Sequence, residues 1–226
     1  MRRITWVAAA LLLLGCASYE IVEVVESEEQ VTASSLFAQY MQSSTFLDPL
    51  GKFLVDYVRQ HDKDLGHSGP RQHEFRGTKA FIEEPVKFAA GAEHPVAGVW
   101  HIQAYDHAGA TVRTYNIWCF AAKGSAPELA DGVMGSTLCD LELQFDVMPQ
   151  VFLAAYLATG KQPRQGETPV IVDTVVTDIA RLDREQGRGS WTEQWVLLLG
   201  AETITADIEF ATSGGETQFN VKTRSR

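Results

Sequence analysis

The chain has 226 residues, a formal net charge of −10 and a hydrophobic share of 45%. That length allows one sizeable domain or two small ones, and the apolar share is enough to bury a real core. The acidic balance, with no Lys/Arg stripe, excludes a surface built for nucleic acid or anionic headgroups.

The first element is a leader. Arg2 and Arg3 precede an uncharged apolar run from Ile4 to Leu14. As a helix this run would rise about 16 Å, roughly half the hydrocarbon thickness, so it is too short to span a bilayer. It reads as a secretory signal, to be set aside in fold reasoning. The run ends in Leu13-Leu14-Gly15-Cys16, which resembles the lipobox of bacterial lipoproteins. The alternative is an ordinary signal peptide with an incidental cysteine. The resemblance implies a diacylglycerol thioether on Cys16, cleavage before it and fatty acylation of the new amine. Two or more acyl chains anchor stably where one holds only marginally. By the same resemblance Ala17, where Asp would favour inner-membrane retention, implies the outer membrane. Residues 1–15 are therefore expected to be a signal peptide and 16–33 a lipidated tether, acidic through Glu20, Glu23, Glu26, Glu28 and Glu29. Residues 34–226 are expected to form a single domain, with a candidate sub-boundary at 161–169.

Ser34 or Ser35 can cap a first helix with Leu36, Phe37, Tyr40 and Met41 on one face. A second helix is expected with Asp48 as N-cap and Pro49 at its first position. Its apolar stripe would be Leu50, Phe53, Leu54, Tyr57 and Val58. Residues 61–77, with Gly66, Gly69, Pro70 and Gly77, read as polar loop. From about Lys79 the pattern is β. Val99–Tyr105 and Thr111–Phe120 read as a hairpin, and 121–136 as loop. Cys139, Leu141, Leu143, Phe145 and Val147 alternate with Asp140, Glu142, Gln144 and Asp146, a period-two pattern that predicts a strand. Pro149 then opens a helix with Val151, Phe152, Ala155 and Tyr156 on one face and Gly160 after its end. The connector with Pro163, Gly166 and Pro169 leads into a C-terminal four-stranded meander. Its strands start at Val170, at Trp191, at Thr203 and after the Ser213-Gly214-Gly215 turn. The expected class is α+β, with helices packed on antiparallel sheet.

The chain has three cysteines. With Cys16 lipidated, Cys119 and Cys139 remain, and a secreted chain with two thiols invites a disulfide. A strand at Cys139 returning along Thr111–Phe120 would bring them opposite each other. Closing that loop would stabilise by about 3 kcal/mol. A reactive thiol pair is the alternative.

Trp191-Thr192-Glu193-Gln194-Trp195, then Gly200 and Gly214-Gly215-Glu216-Thr217, resembles the C-terminal end of a loose set of uncharacterised bacterial envelope proteins. Many of those carry Cys before the glycine, where this chain has Leu199, so no disulfide pattern is carried over. No activity comes with the resemblance.

Chemistry-bearing constellations are sparse. His61, His67 and His73 with Asp64 and Glu74 lie close in sequence but lack zinc spacing, and Lys63 would repel a cation, so they read as solvated loop residues. Ser125 and Ser136 have no nearby His, and no Gly-x-Ser-x-Gly elbow is present. Asp131 with Asp140 and Asp173 with Asp178 fall on exposed strand faces. Glu193 breaks its pattern by sharing parity with Trp191 and Trp195. These three are the candidate ligand or partner surface. The alternatives for Glu193 are a strand end, or a pair with an Arg such as Arg181. No cofactor and no metal is expected. The expectation is a non-enzymatic outer-membrane lipoprotein facing the periplasm, held through Cys16 and binding an envelope protein or a small ligand through an exposed aromatic patch in the Tyr40–Tyr57 region or the Trp191–Trp195 strand. The alternatives are an envelope hydrolase with an unrecognised site, or an accessory subunit of an envelope assembly or secretion system.

Overall fold

The computed structural model describes residues 23–25, 31–67, 73–89, 91–107, 112–163, 168–179, 188–214 and 216–225. Cys16 and the leader lie outside them. The chain divides into two compact units after Gly132. This boundary lies upstream of the 161–169 connector, which runs from a helix to a strand inside the second unit.

The first unit contains strand β1 (Glu23–Val25), helices α1 (Val31–Met41) and α2 (Ser44–Asp64), and strands β2 (Phe75–Lys87), β3 (Ala97–Asp106), β4 (Arg113–Ala122) and β5 (Glu128–Asp131). The five strands form one sheet in chain order. β1 runs parallel to β2 and every other pair is antiparallel. The expected 99–105/111–120 hairpin is present as β3 and β4. Two stretches expected to be loop are ordered instead: α2 continues to Asp64, and Glu128–Asp131 adds a strand beside β4. Glu23–Val25, within the segment expected as a tether at 16–33, pair with β2, and α1 starts at Val31; residues 16–22 and 26–30 lie outside the described residues.

Helix α2 starts earlier than its proline suggests. The carbonyl of Ser43 already accepts from the Phe46 and Leu47 amides, and Pro49 sits in the second turn. A helical proline forgoes one hydrogen bond. Phe46, Leu47 and Leu50 are all buried around it, and their burial offsets the loss. The stripe continues through Leu54 and Val58 to His61. In α1, Phe37, Tyr40 and Met41 are buried, whereas Leu36 points outward. The core centres on Trp100 of β3. Phe37 meets it edge-on at 5.3 Å and Phe46 lies tilted at 5.8 Å.

The second unit contains helix α3 (Leu141–Thr159) and strands β6 (Val170–Asp178), β7 (Gly189–Leu199), β8 (Glu202–Ser213) and β9 (Glu216–Ser225). The four strands form the expected antiparallel meander in chain order. α3 packs on β8 and β9. Val147, Val151, Trp191, Trp195, Leu197, Ala206, Ile208 and Phe210 make its core. Most of the described residues that carry regular structure are in sheet, so α+β describes the chain only coarsely.

The strand expected at 139–147 is instead the start of α3. Asp140 caps it, its side chain accepting from the Leu143 amide at 2.8 Å, with Glu142 in the first turn. The residues that alternate here (Leu, Glu, Gln, Asp) include strong helix formers and no β-branched residue before Val147. Burial follows Gln144, Val147, Val151 and Ala155, a helical spacing. Gly160 closes the helix in the left-handed conformation, as its position suggests.

Candidate functional site

The alternation of β7 sends Trp191, Glu193, Trp195, Leu197 and Leu199 to one face, and that face is the core. The expected Trp191–Glu193–Trp195 surface is therefore an interior feature. Glu193 is 0% exposed. One carboxylate oxygen accepts from the Leu138 amide at 2.7 Å and the Trp191 indole at 3.0 Å. The other accepts from the Thr137 hydroxyl at 2.8 Å and the Trp195 indole at 2.8 Å. The Cys139 thiol, 3.8 Å from the first oxygen, is a fifth donor; together they disperse the charge, and no cation among the described residues pairs with it. Parity alone flags Glu193 as unusual. It does not reveal that two of its donors come from residues 137 and 138, and Arg181 lies outside the described residues.

The segment before α3 is tied both to that helix and to the sheet. Gln144 accepts from the Val133 amide at 2.9 Å and donates to the Cys139 carbonyl at 2.9 Å. The Ser136 amide donates to the Thr174 carbonyl at 2.6 Å, and the Thr174 hydroxyl to the Met134 carbonyl at 2.7 Å. Gly135, at φ 93°, lies flat against β6; a Cβ there would stand 2.2 Å from the Thr174 amide nitrogen.

Cys119 and Cys139 are both free and buried. The expected bridge is not formed, and its geometric premise is gone, because Cys139 precedes a helix rather than riding a strand beside β4. Burial raises the Cys119 thiol well above its usual range. Burial first, and then the Glu193 carboxylate beside it, do the same for Cys139. Thiols held protonated in this way are poor nucleophiles, which argues against the reactive-pair alternative as well.

The histidines also depart from expectation. His61 is buried in α2, where burial and then the Arg113 guanidinium lower its pKa to about 4. His94 Nδ1 lies 3.2 Å from the Tyr40 hydroxyl. His101 stacks between Phe81 and Trp118 at 4.7 and 4.9 Å, with Glu83 at 3.0 Å from its Nδ1. His73 stands between two carboxylates: Asp106 lies 2.8 Å from Nδ1 and Asp62 lies 2.9 Å from Nε2. Arg113 approaches the second oxygen of Asp62 at 3.5 Å. Both ring nitrogens of His73 are thus engaged, leaving neither to take a proton from a substrate. Among the described residues no group of three or more His, Cys, Asp or Glu side chains is arranged to hold a metal ion. Of the other candidates, Ser125 bonds to its own turn at Ala122 and Asp140 caps α3. Asp131, Asp173 and Asp178 are exposed.

The outward feature is α3. Opposite its buried stripe, Phe145, Leu153 and Leu157 are 58, 52 and 74% exposed. With exposed Pro149 they recur every fourth residue, forming one stripe along the helix. Over 12 residues such a stripe runs about 18 Å. Its only charged neighbours on the helix are Glu142 and Asp146, at the N-terminal end; α3 has no basic residue. The Tyr40–Tyr57 region, the other expected patch, turns its Tyr40, Leu50 and Leu54 into the core instead. No helix among the described residues is long and apolar enough to cross a membrane.

No family model, curated protein or solved structure matches this chain.

Proposed function

We propose that this chain is a non-enzymatic lipoprotein of the outer membrane, facing the periplasm, which binds a protein partner through the exposed face of α3. The observation that carries the reading is the Phe145–Pro149–Leu153–Leu157 stripe. A helix with apolar residues on both its buried and its solvent face is normally covered on both. The exposed acids Glu142 and Asp146 at one end, with no basic residue on the helix, select the partner's chemistry. It presents an apolar strip, such as an amphipathic helix, with Lys or Arg at the end that meets Glu142. Two buried polar clusters support a binding role over catalysis, because Glu193 and His73 both spend their polar atoms on groups of this chain. The Leu13–Cys16 lipobox supplies the address.

The test pairs anchor and surface. Cys16→Ala should remove fatty-acid labelling and release the protein from the membrane fraction. A photo-crosslinker at exposed position 150, beside the stripe, used in cells, should trap one dominant protein through an apolar segment with a basic flank. Leu153→Glu with Leu157→Glu should abolish that adduct while thermal unfolding stays near wild type. An adduct that persists in the double variant refutes the α3 surface. A Cys16→Ala protein that stays in the membrane refutes the anchor.

A further inference from the structure

An edge strand leaves a row of amides and carbonyls open to another chain, so protein sheets end in short, irregular or covered strands. The two sheets among the described residues have four edges. Those of the first unit are short, three residues at β1 and four at β5. In the second unit the β6 edge is irregular and covered. Its register against β7 shifts twice, and the Ser136 amide occupies the Thr174 carbonyl at 2.6 Å. β9 has none of these features. Its 10 residues, which include no proline, pair with β8 without a register shift from Ser213↔Glu216 to Ile204↔Ser225. Its basic side chains do not stand guard along the edge either. Lys222 reaches back over β8 to Glu209 at 2.6 Å, and Arg224 reaches back to Asp207. Among the described residues β9 pairs with β8 alone.

Laid antiparallel against a second copy of itself about Asn220, β9 meets its own complement. Glu216 falls opposite Arg224, Thr217 opposite Thr223, Gln218 opposite Lys222 and Phe219 opposite Val221, with Asn220 opposite itself. From 216 to 224 the even positions are exposed and the odd ones half-buried, so outer face joins outer face and inner joins inner. The inner pair extends the core of the second unit, on which Phe219 and Val221 already pack. On the outer face Glu216 gains a cation. Arg224 spends Nε and Nη2 on Asp207 and keeps Nη1 for the new carboxylate. A slip of one residue would set exposed positions against half-buried ones. A slip of two would leave either Glu216 or Arg224 with no residue of β9 opposite it. In the centred register alternate pairs exchange two main-chain hydrogen bonds each, about eight to ten in all.

We infer that two copies of this chain join edge to edge through β9, making one continuous antiparallel sheet of twice four strands. The contact is isologous: a twofold axis normal to the sheet passes through the Asn220 pair and keeps both α3 helices on the same face. The strand pairing uses residues of β9 and none of the α3 stripe, so it stands or falls separately from the partner surface on that helix.

The test uses the chain from position 17 onward, which keeps every described residue and lacks the expected acylation site. Sedimentation velocity should show a concentration-dependent equilibrium with the dimer dominant at about 100 μM. Asn220→Lys sets two ammonium groups face to face at an exposed position. The dimer dissociation constant should rise about tenfold while thermal unfolding of the dilute monomer stays near wild type. Asn220→Cys provides a second route should that variant not fold. Residues on the axis stand about 4.5–5.5 Å apart at Cα, within disulfide reach, so oxidised glutathione should link two copies covalently. Gln218→Cys, roughly 14 Å from its symmetry mate, should stay unlinked. Cys119 and Cys139 are buried and do not compete. A wild-type chain that stays monomeric at about 100 μM overturns the pairing. So does a dimer undiminished in Asn220→Lys, or equal linking at positions 218 and 220.

Discussion

Removing the Glu193 carboxylate is the sharpest perturbation of the second unit. In Glu193→Ala the Leu138 amide, the Trp191 and Trp195 indoles, the Thr137 hydroxyl and the Cys139 thiol lose their common acceptor at once. The hydroxyl and the weakly donating thiol can turn elsewhere; the other three donors are fixed. A buried donor left without a partner costs about 1–3 kcal/mol, so three cost roughly 3–9 kcal/mol before the cavity is counted. That is comparable to the whole stability of a domain, about 5–15 kcal/mol. Glu193→Gln separates charge from shape. The amide carbonyl can serve Leu138 and Trp191, and the amide nitrogen can face Thr137, whose hydroxyl is able to accept. Only the Trp195 indole is then stranded, for a cost of about 2 kcal/mol. Urea unfolding followed by tryptophan fluorescence gives the ranking directly, wild type above Gln above Ala. The indole N–H resonance of Trp195 should move more than that of Trp191 in the Gln variant. An alanine variant that loses less than about 1 kcal/mol would refute the clamp.

Three further outcomes follow from particular contacts. Gly135→Ala should destabilise the second unit by more than about 3 kcal/mol, because its Cβ would fall within 2.3 Å of both backbone polar atoms of Thr174; a near-neutral result in thermal unfolding would contradict the packing against β6. His61 should make the first unit acid-sensitive. Its folded pKa, lowered from 6.5 to about 4, means the unfolded chain binds the extra proton first, so stability falls as pH drops through that window. The loss amounts to about 3 kcal/mol, and His61→Leu should flatten that part of the profile. Cys119 and Cys139 should resist a thiol reagent in the native protein and both react in urea without reductant; a chain that reacts in urea only after reduction would restore the bridge.

The parts of the fold that were legible in sequence are those with local causes. β7 and β8 alternate cleanly and are separated by a turn at Gly200, so the meander could be read strand by strand. The 139–147 segment failed because nine alternating residues fit a strand as well as the opening turns of a helix. The decisive signal was the cap at Asp140 together with a helix-forming composition, not the period. The sites were less legible than the fold. Glu193 stood out by parity, yet its meaning depends on donors some fifty-five residues upstream. The Asp62–His73–Asp106 cluster joins residues separated by 11 and 33 positions through tertiary contact alone. The α3 stripe is masked by its neighbours: with Val151, Phe152, Ala155 and Tyr156 as the helix's single apolar face, the pattern gives Leu153 and Leu157 no partner of their own.

The parallel pairing of Glu23–Val25 with Lys79–Phe81 gives the N-terminal end a mechanical property. Were Cys16 lipidated as proposed, any pull between bilayer and protein would be delivered first to this three-residue strand. Seven residues separate the anchor position from the strand, a maximum reach of about 25 Å. Release of the strand would bring the separation to the start of α1, fifteen residues, and roughly double that reach to about 50 Å. Under the proposed anchoring the short strand would be a tear-away seam that sets two lengths of leash.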